Sequence, residues 1–164
     1  MRQLKYCAAL LTAMFIGPQI ALAGNCDALA SILSSGKGGY VQLRLSKIDA
    51  RRNQLRRWNA KSTFAPTCYV EEYDDRFQYG CKSDSMLSDD ARAASVKFAN
   101  EAYDCMEHGV WKRKETTFED EYSITDLITL SSVSDDSQVY TGAYTDKADQ
   151  SESYVTFTFK VPKH

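Results

Sequence analysis

Residues Thr67–Lys82 read TCYVEEYDDRFQYGCK: two runs rich in β-forming residues, Cys68 to Tyr73 and Arg76 to Cys81, on either side of Asp74-Asp75. This is the pattern of a hairpin with a two-residue loop. In that register Tyr73 faces Arg76, Val70 faces Tyr79 and Cys68 faces Cys81. With Tyr73 and Arg76 as a hydrogen-bonded pair, Cys68 and Cys81 form a non-hydrogen-bonded pair, about 4.5 Å apart at Cα. A disulfide spans that distance. The same register puts Cys68, Val70, Phe77, Tyr79 and Cys81 on one face and Tyr69, Glu71 and Gln78 on the other, so bridge and hydrophobic pattern agree.

Downstream of the hairpin a long helix is expected, with Ser88 as N-cap, Asp89 and Asp90 at the positive end of the dipole and Gly109 as the stop. Its buried face is Ala91, Ala94, Phe98, Ala102 and Cys105. Four strands follow, over Val110 to Phe118, Tyr122 to Ser132, Gln138 to Tyr144 and Ser153 to Val161. The last alternates Val155, Phe157, Phe159 and Val161 with Tyr154, Thr156, Thr158 and Lys160, as in an antiparallel sheet with one wet face.

Upstream, Asp27 to Ser34 is expected as a short helix with Leu29, Ile32 and Leu33 on one side and Gly36 as its stop. Tyr40 to Ser46 alternates Val41, Leu43 and Leu45 against Tyr40, Gln42 and Arg44, which predicts a half-buried strand. Lys47 to Lys61 reads two ways: a continuation of that strand and its turn, or a basic amphipathic helix with Ile48, Leu55 and Trp58 aligned. The fold class is α+β, two helices on a twisted antiparallel sheet in the order α-β-β-β-α-β-β-β-β.

The chain has 164 residues and five cysteines. Arg2 and Lys5, the apolar run Tyr6 to Ile16, the break at Gly17-Pro18 and small residues at Ala21 and Ala23 predict a secretory signal peptide cut after Ala23. Residues 24–164 then form one domain, periplasmic or secreted. Asn25 before Cys26 argues against lipidation, and no later stretch approaches the roughly 20 apolar residues of a membrane helix. Cleavage discards Cys7 and leaves Cys26, Cys68, Cys81 and Cys105, an even set suited to an oxidising compartment. With Cys68 and Cys81 paired in the hairpin, Cys26 and Cys105 remain to tie the two helices together.

The layout of Cys26, Trp58, the Cys68 to Cys81 hairpin, Cys105 near a helix end and Trp111 after it resembles a broad group of exported bacterial proteins of unknown function, whose fold is like that of type III secretion chaperones. The resemblance covers roughly residues 26 to 112. It implies an exported α+β protein with two disulfides and carries no catalytic signature.

Charge is unevenly distributed. Residues 44 to 61 hold seven cations (Arg44, Lys47, Arg51, Arg52, Arg56, Arg57, Lys61) and one acid, Asp49, while the chain as a whole is −2. One reading is an anion-binding face for an acidic partner or an anionic envelope component; the other is a solvated segment balanced by the acidic remainder. A nucleic-acid partner is not expected, since its footprint is a basic domain. Asp74-Asp75, Asp89-Asp90, Glu119-Asp120-Glu121 and Asp135-Asp136 fall at turns or helix starts, where Asp is favoured locally, and none has EF-hand spacing. Two histidines and these cysteine spacings match no zinc site, and no cofactor motif, nucleophile elbow or phosphate loop is present. His108 suits a helix end better than a general base. Trp58 and Trp111 read as core anchors, and Tyr69, Tyr73, Tyr140, Tyr144 and Tyr154 as contact material on wet sheet faces. The expected function is an exported non-enzymatic binding protein for a protein partner or envelope component, with inhibitor-like and immunity-like roles and support of envelope integrity included. Its contacts would be the basic segment with Tyr69 and Tyr73. The alternative is an envelope hydrolase built on a carboxylate pair.

Overall fold

The structure, a computed structural model, describes residues 26–51 and 53–163, so the signal peptide expected at residues 1–23, and Arg52, lie outside the described residues. Helix α1 (Cys26–Lys37) is followed by β1 (Arg44–Ile48), β2 (Arg56–Ala60), β3 (Thr67–Glu72) and β4 (Arg76–Lys82). Helix α2 (Ser88–Asp104) is followed by β5 (Trp111–Glu119), β6 (Ser123–Ser132), β7 (Gln138–Asp146) and β8 (Tyr154–Pro162). All eight strands join one antiparallel sheet in the order β1-β2-β3-β4-β8-β7-β6-β5. The order is a palindrome: each half is a helix and a four-stranded meander, and the halves meet where β4 pairs with β8.

The hairpin of β3 and β4 has the expected register, Cys68 opposite Cys81 and Val70 opposite Tyr79, closed by a hydrogen bond from Tyr73 N to Arg76 O. Both expected disulfides form, Cys68–Cys81 with Cα atoms 4.1 Å apart and Cys26–Cys105 joining α1 to the end of α2. Both helices lie on one side of the sheet. There Leu29 and Ile32 of α1 and Ala91, Phe98 and Ala102 of α2 bury Val70, Tyr79, Val139, Val155, Phe157, Phe159 and Val161. The rings of Phe98 and Phe157 are 4.5 Å apart. Phe64, from the loop between β2 and β3, stacks on Phe159 and meets Phe98 edge-on. Trp58 and Trp111 pack at the margin of this core and are half-buried.

Four expectations need correction. The sheet has a strand more than expected, because Arg56–Ala60 is β2 and no basic helix forms in this segment; Leu55, assigned to that helix's apolar face, is 53% exposed. Opposite charges settle the pairing, with Arg57 facing Glu71 and Arg56 facing Glu72. Second, the alternation expected at Tyr40 to Ser46 breaks down: Val41–Leu43 is a 3-10 turn, with Leu43 on the core and Gln42 exposed as expected, and the strand begins only at Arg44. Val41 and Leu45 are exposed, and Tyr40 is fully buried in a left-handed turn, donating from Oη to Phe159 O. Third, Gly36 is not the stop of α1. It lies inside the helix at its closest approach to β8, where a Cβ would come within 2.4 Å of Val161 Cγ2. The chain turns instead at Gly39, at φ 71°. Fourth, both ends of α2 lie earlier than expected: Leu87 is the N-cap, its carbonyl accepting from Ala91 N directly after the Met86 N–H has bonded to Ser153 O, and the helix ends at Asp104, five residues before Gly109.

Candidate functional site

Helices cover one side of the sheet, which leaves the other side to be read row by row. In an antiparallel sheet directly opposed residues share a face. One row runs Arg57, Glu71, Gln78, Lys160, Gln138, Ser131 and Lys112 across β2 to β5. The next runs Asn59, Tyr69, Gly80, Thr158, Tyr140, Thr129 and Lys114. Beyond it lie Lys82, Thr156, Gly142, Leu127 and Thr116, then Tyr154, Tyr144, Thr125 and Phe118. The helix side is the other parity, as the hydrogen bond from Thr141 on β7 to Ser95 on α2 shows.

Tyrosines and cations are matched on this open face. Arg57 lies 4.8 Å from the Tyr69 ring, Arg76 4.1 Å from Tyr73 and Lys82 3.6 Å from Tyr154, each within cation–π range. Tyr144 and Tyr154 stack with ring centres 4.6 Å apart. Tyr69 lies flat over Gly80, where a Cβ would come within 2.7 Å of the ring. Burial raises the pKa of Tyr69, Tyr73, Tyr140 and Tyr154. The phenols therefore stay protonated at neutral pH and can donate as well as accept.

The carboxylate at the centre of this arrangement, Glu71, is only 4% exposed. Tyr73 Oη and Gln78 Nε2 donate to it at 3.1 and 3.2 Å, Gln54 donates to its other oxygen, and Arg57 Nε forms an ion pair with it at 3.2 Å. This carboxylate fixes Arg57 and offers little to solvent. Asp146, at the end of β7, is turned to the amides of Ala148 and Asp149 in its own loop. What the face presents is phenol, hydroxyl and cation.

The basic segment, by contrast, is dispersed. Arg44 donates to Gly39 O and lies over the Trp58 ring at 3.8 Å, which occupies it structurally. Arg56 is exposed, on the helix-side parity, and 3.7 Å from Glu72. Lys47, Arg51 and Lys61 are exposed, and Arg57 belongs to the open face. Of the candidate contacts, Arg57, Tyr69 and Tyr73 come together, with Arg51 close enough to act electrostatically on the Tyr69 phenol; Arg44, Lys47, Arg56 and Lys61 do not join them as one patch. The reading of sequence missed Arg76, Lys82, Lys112, Lys114 and Lys160, which are scattered along the chain and gathered by strand parity alone. Period-2 position in the predicted strands was the signal that could have found them.

Two of the acidic runs serve their own turns: Asp120 accepts from the amides of Tyr122 and Ser123, which hold its carboxyl below the usual range, and Asp135 accepts from the amide of Ser137; Asp149, outside those runs, accepts from Ser151 and is likewise held low. Among the described residues no group of histidine, cysteine and acidic side chains could hold a metal ion, and no helix is long and apolar enough to cross a membrane. Compared with known proteins, the chain matches no family model, no curated protein and no solved structure.

Proposed function

We propose that this chain is an exported, disulfide-braced binding protein whose helix-free sheet face holds a protein partner in the cell envelope or beyond it. The observation that carries the reading is the concentration of half-buried tyrosines, three of them within cation–π range of Arg57, Arg76 and Lys82, on the one side of the sheet that no helix covers. Aromatic and arginine side chains supply most of the energy of protein interfaces, and rings already held by neighbours lose little entropy on binding. Eight strands spaced about 4.8 Å apart, by rows about 20 Å deep, give on the order of 700 Å², close to the roughly 800 Å² each partner contributes to a standard interface. A leader removed after Ala23 and two disulfides fit an oxidising compartment. Neutral phenols, hydroxyls and fixed cations suit docking and provide no nucleophile.

The test is a crosslinking pull-down from envelope extract with the oxidised protein. A variant carrying Tyr144→Ala and Tyr154→Ala is expected to lose one specific partner that a variant carrying Lys47→Ser and Arg56→Ser retains. An unchanged partner list in the tyrosine variant would sink the proposal, and loss only in the Lys47 and Arg56 variant would move the contact to the basic segment.

A further inference from the structure

At one margin of the sheet, β5 has β6 on one side and no described strand on the other. Its nine residues pair with β6 without a bulge. Asp120 N donates to Ser123 O and Val133 N to Val110 O, so the even-numbered residues of β5 spend their backbone groups on β6. The odd-numbered ones therefore point outward. Trp111 N is occupied by Glu107 O, and Asp120 begins the turn. The free edge thus runs from Arg113 to Glu119 and is centred on Thr116. Such an edge templates pairing with another strand.

We infer that this edge pairs with β5 of a second copy, antiparallel, about a two-fold axis at Thr116. Charge selects both the partner and the register. The strand is basic at one end (Lys112, Arg113, Lys114) and acidic at the other (Glu115, Glu119, and Asp120 just beyond). Centred on Thr116, the pairing sets Arg113 opposite Glu119, Lys112 opposite Asp120, Lys114 opposite Phe118 and Glu115 opposite Thr117, each twice by symmetry. Centring on Lys114 or Glu115 opposes two identical charges at the axis, and centring on Thr117 opposes Glu115 to Glu119. Like charges directly opposite are destabilising, so among the neighbouring registers only the Thr116 one is free of them, and it is also the one centred on the free edge. The same lysines repel a strand lacking acids at matching positions, which makes the edge selective. Phe118, 57% exposed in the isolated chain, gains cover from Lys114 of the copy. Arg113 already pairs with Glu115 at 2.7 Å and Glu119 with Lys147 at 2.8 Å, so the new pairs extend charge clusters that are in place. The axis is perpendicular to the sheet and keeps both open faces on one side of the assembly.

Sedimentation velocity on the oxidised protein is expected to show a monomer–dimer equilibrium that weakens with added salt. Arg113→Glu should raise the dimer dissociation constant about tenfold or more, since symmetry counts each lost pair twice, and adding Glu119→Arg to it should restore dimerisation. Thr116→Cys should yield a covalent dimer on mild oxidation, because a non-hydrogen-bonded pair lies within disulfide range; Lys114→Cys should not. Circular dichroism confirms that each variant is folded. A monomer at every concentration, a dimer insensitive to Arg113→Glu, or equal crosslinking at Lys114→Cys would each overturn the inference.

Discussion

Gly36 shows how one residue sets the distance between two layers. It lies inside α1, where alanine is ordinarily the better helix former by roughly 1 kcal/mol. Here the added Cβ would sit 2.4 Å from Val161 Cγ2 and 2.9 Å from both Val161 Cβ and Tyr40 Oη. Val161 is a strand residue and cannot swing aside, so Gly36→Ala should destabilise the protein by about 1–3 kcal/mol, the usual cost of overpacking, as a lower urea midpoint with an unchanged slope. Tyr40, its neighbour, is sealed in the core, and burial holds its phenol protonated well above the ordinary range; burial acts the same way on Tyr79. Phenols of the unfolded chain ionise near pH 10. Above that pH the unfolded state releases protons that the native state retains, so stability that is complete below about pH 10 is lost as pH rises further. Urea midpoints measured across that range should fall, and the fall should be shallower in Tyr40→Phe, which has no proton there to lose.

Among the elements, the two disulfides brace different things. Cys68–Cys81 closes a separation of 13 residues within a hairpin that its own ladder already holds, whereas Cys26–Cys105 closes 79 and ties α1 to the end of α2. Loop entropy assigns about 3 kcal/mol to the first and about 4.5 kcal/mol to the second. Replacing Cys26 and Cys105 by serine should therefore lower the unfolding free energy more than replacing Cys68 and Cys81, by about 1.5 kcal/mol in denaturant titrations. The hairpin was legible in the sequence because turn residues, alternation and cysteine spacing all point to one register. Strand β2 was not, since Trp58 and Ala60 are its only apolar residues and Arg56 and Arg57 read equally well as a helix surface. Its place is fixed by Glu71 and Glu72, fourteen residues on from Arg57 and sixteen from Arg56 and adjacent only once the strands pair. Tyr40 is hidden from an alternation reading because a left-handed residue followed by a 3-10 turn over Val41–Leu43 has no period of two.

For the whole molecule, the position of the open face was only half legible. Alternation in the last strand announces a wet side, and the tyrosines read as contact material from sequence alone. The cations that join them, Arg76, Lys82 and Lys160, lie on strands that meet only because β4 and β8 are neighbours in the sheet while 72 residues of chain separate Lys82 from Tyr154. That junction also governs how the molecule comes together. Two local meanders can form early, since each needs only short loops to close, but neither contains the other's half of the core. Phe157, Phe159 and Val161, on the eighth described strand in chain order, are what both helices are built to cover. Until β8 slides between β4 and β7, a growing chain carries two unfinished edges and an open bed of aromatic side chains. Helpers that guard nascent polypeptides would therefore be needed by this chain until β8 has emerged, and damage near Phe159 would trap it as two halves with no common interior.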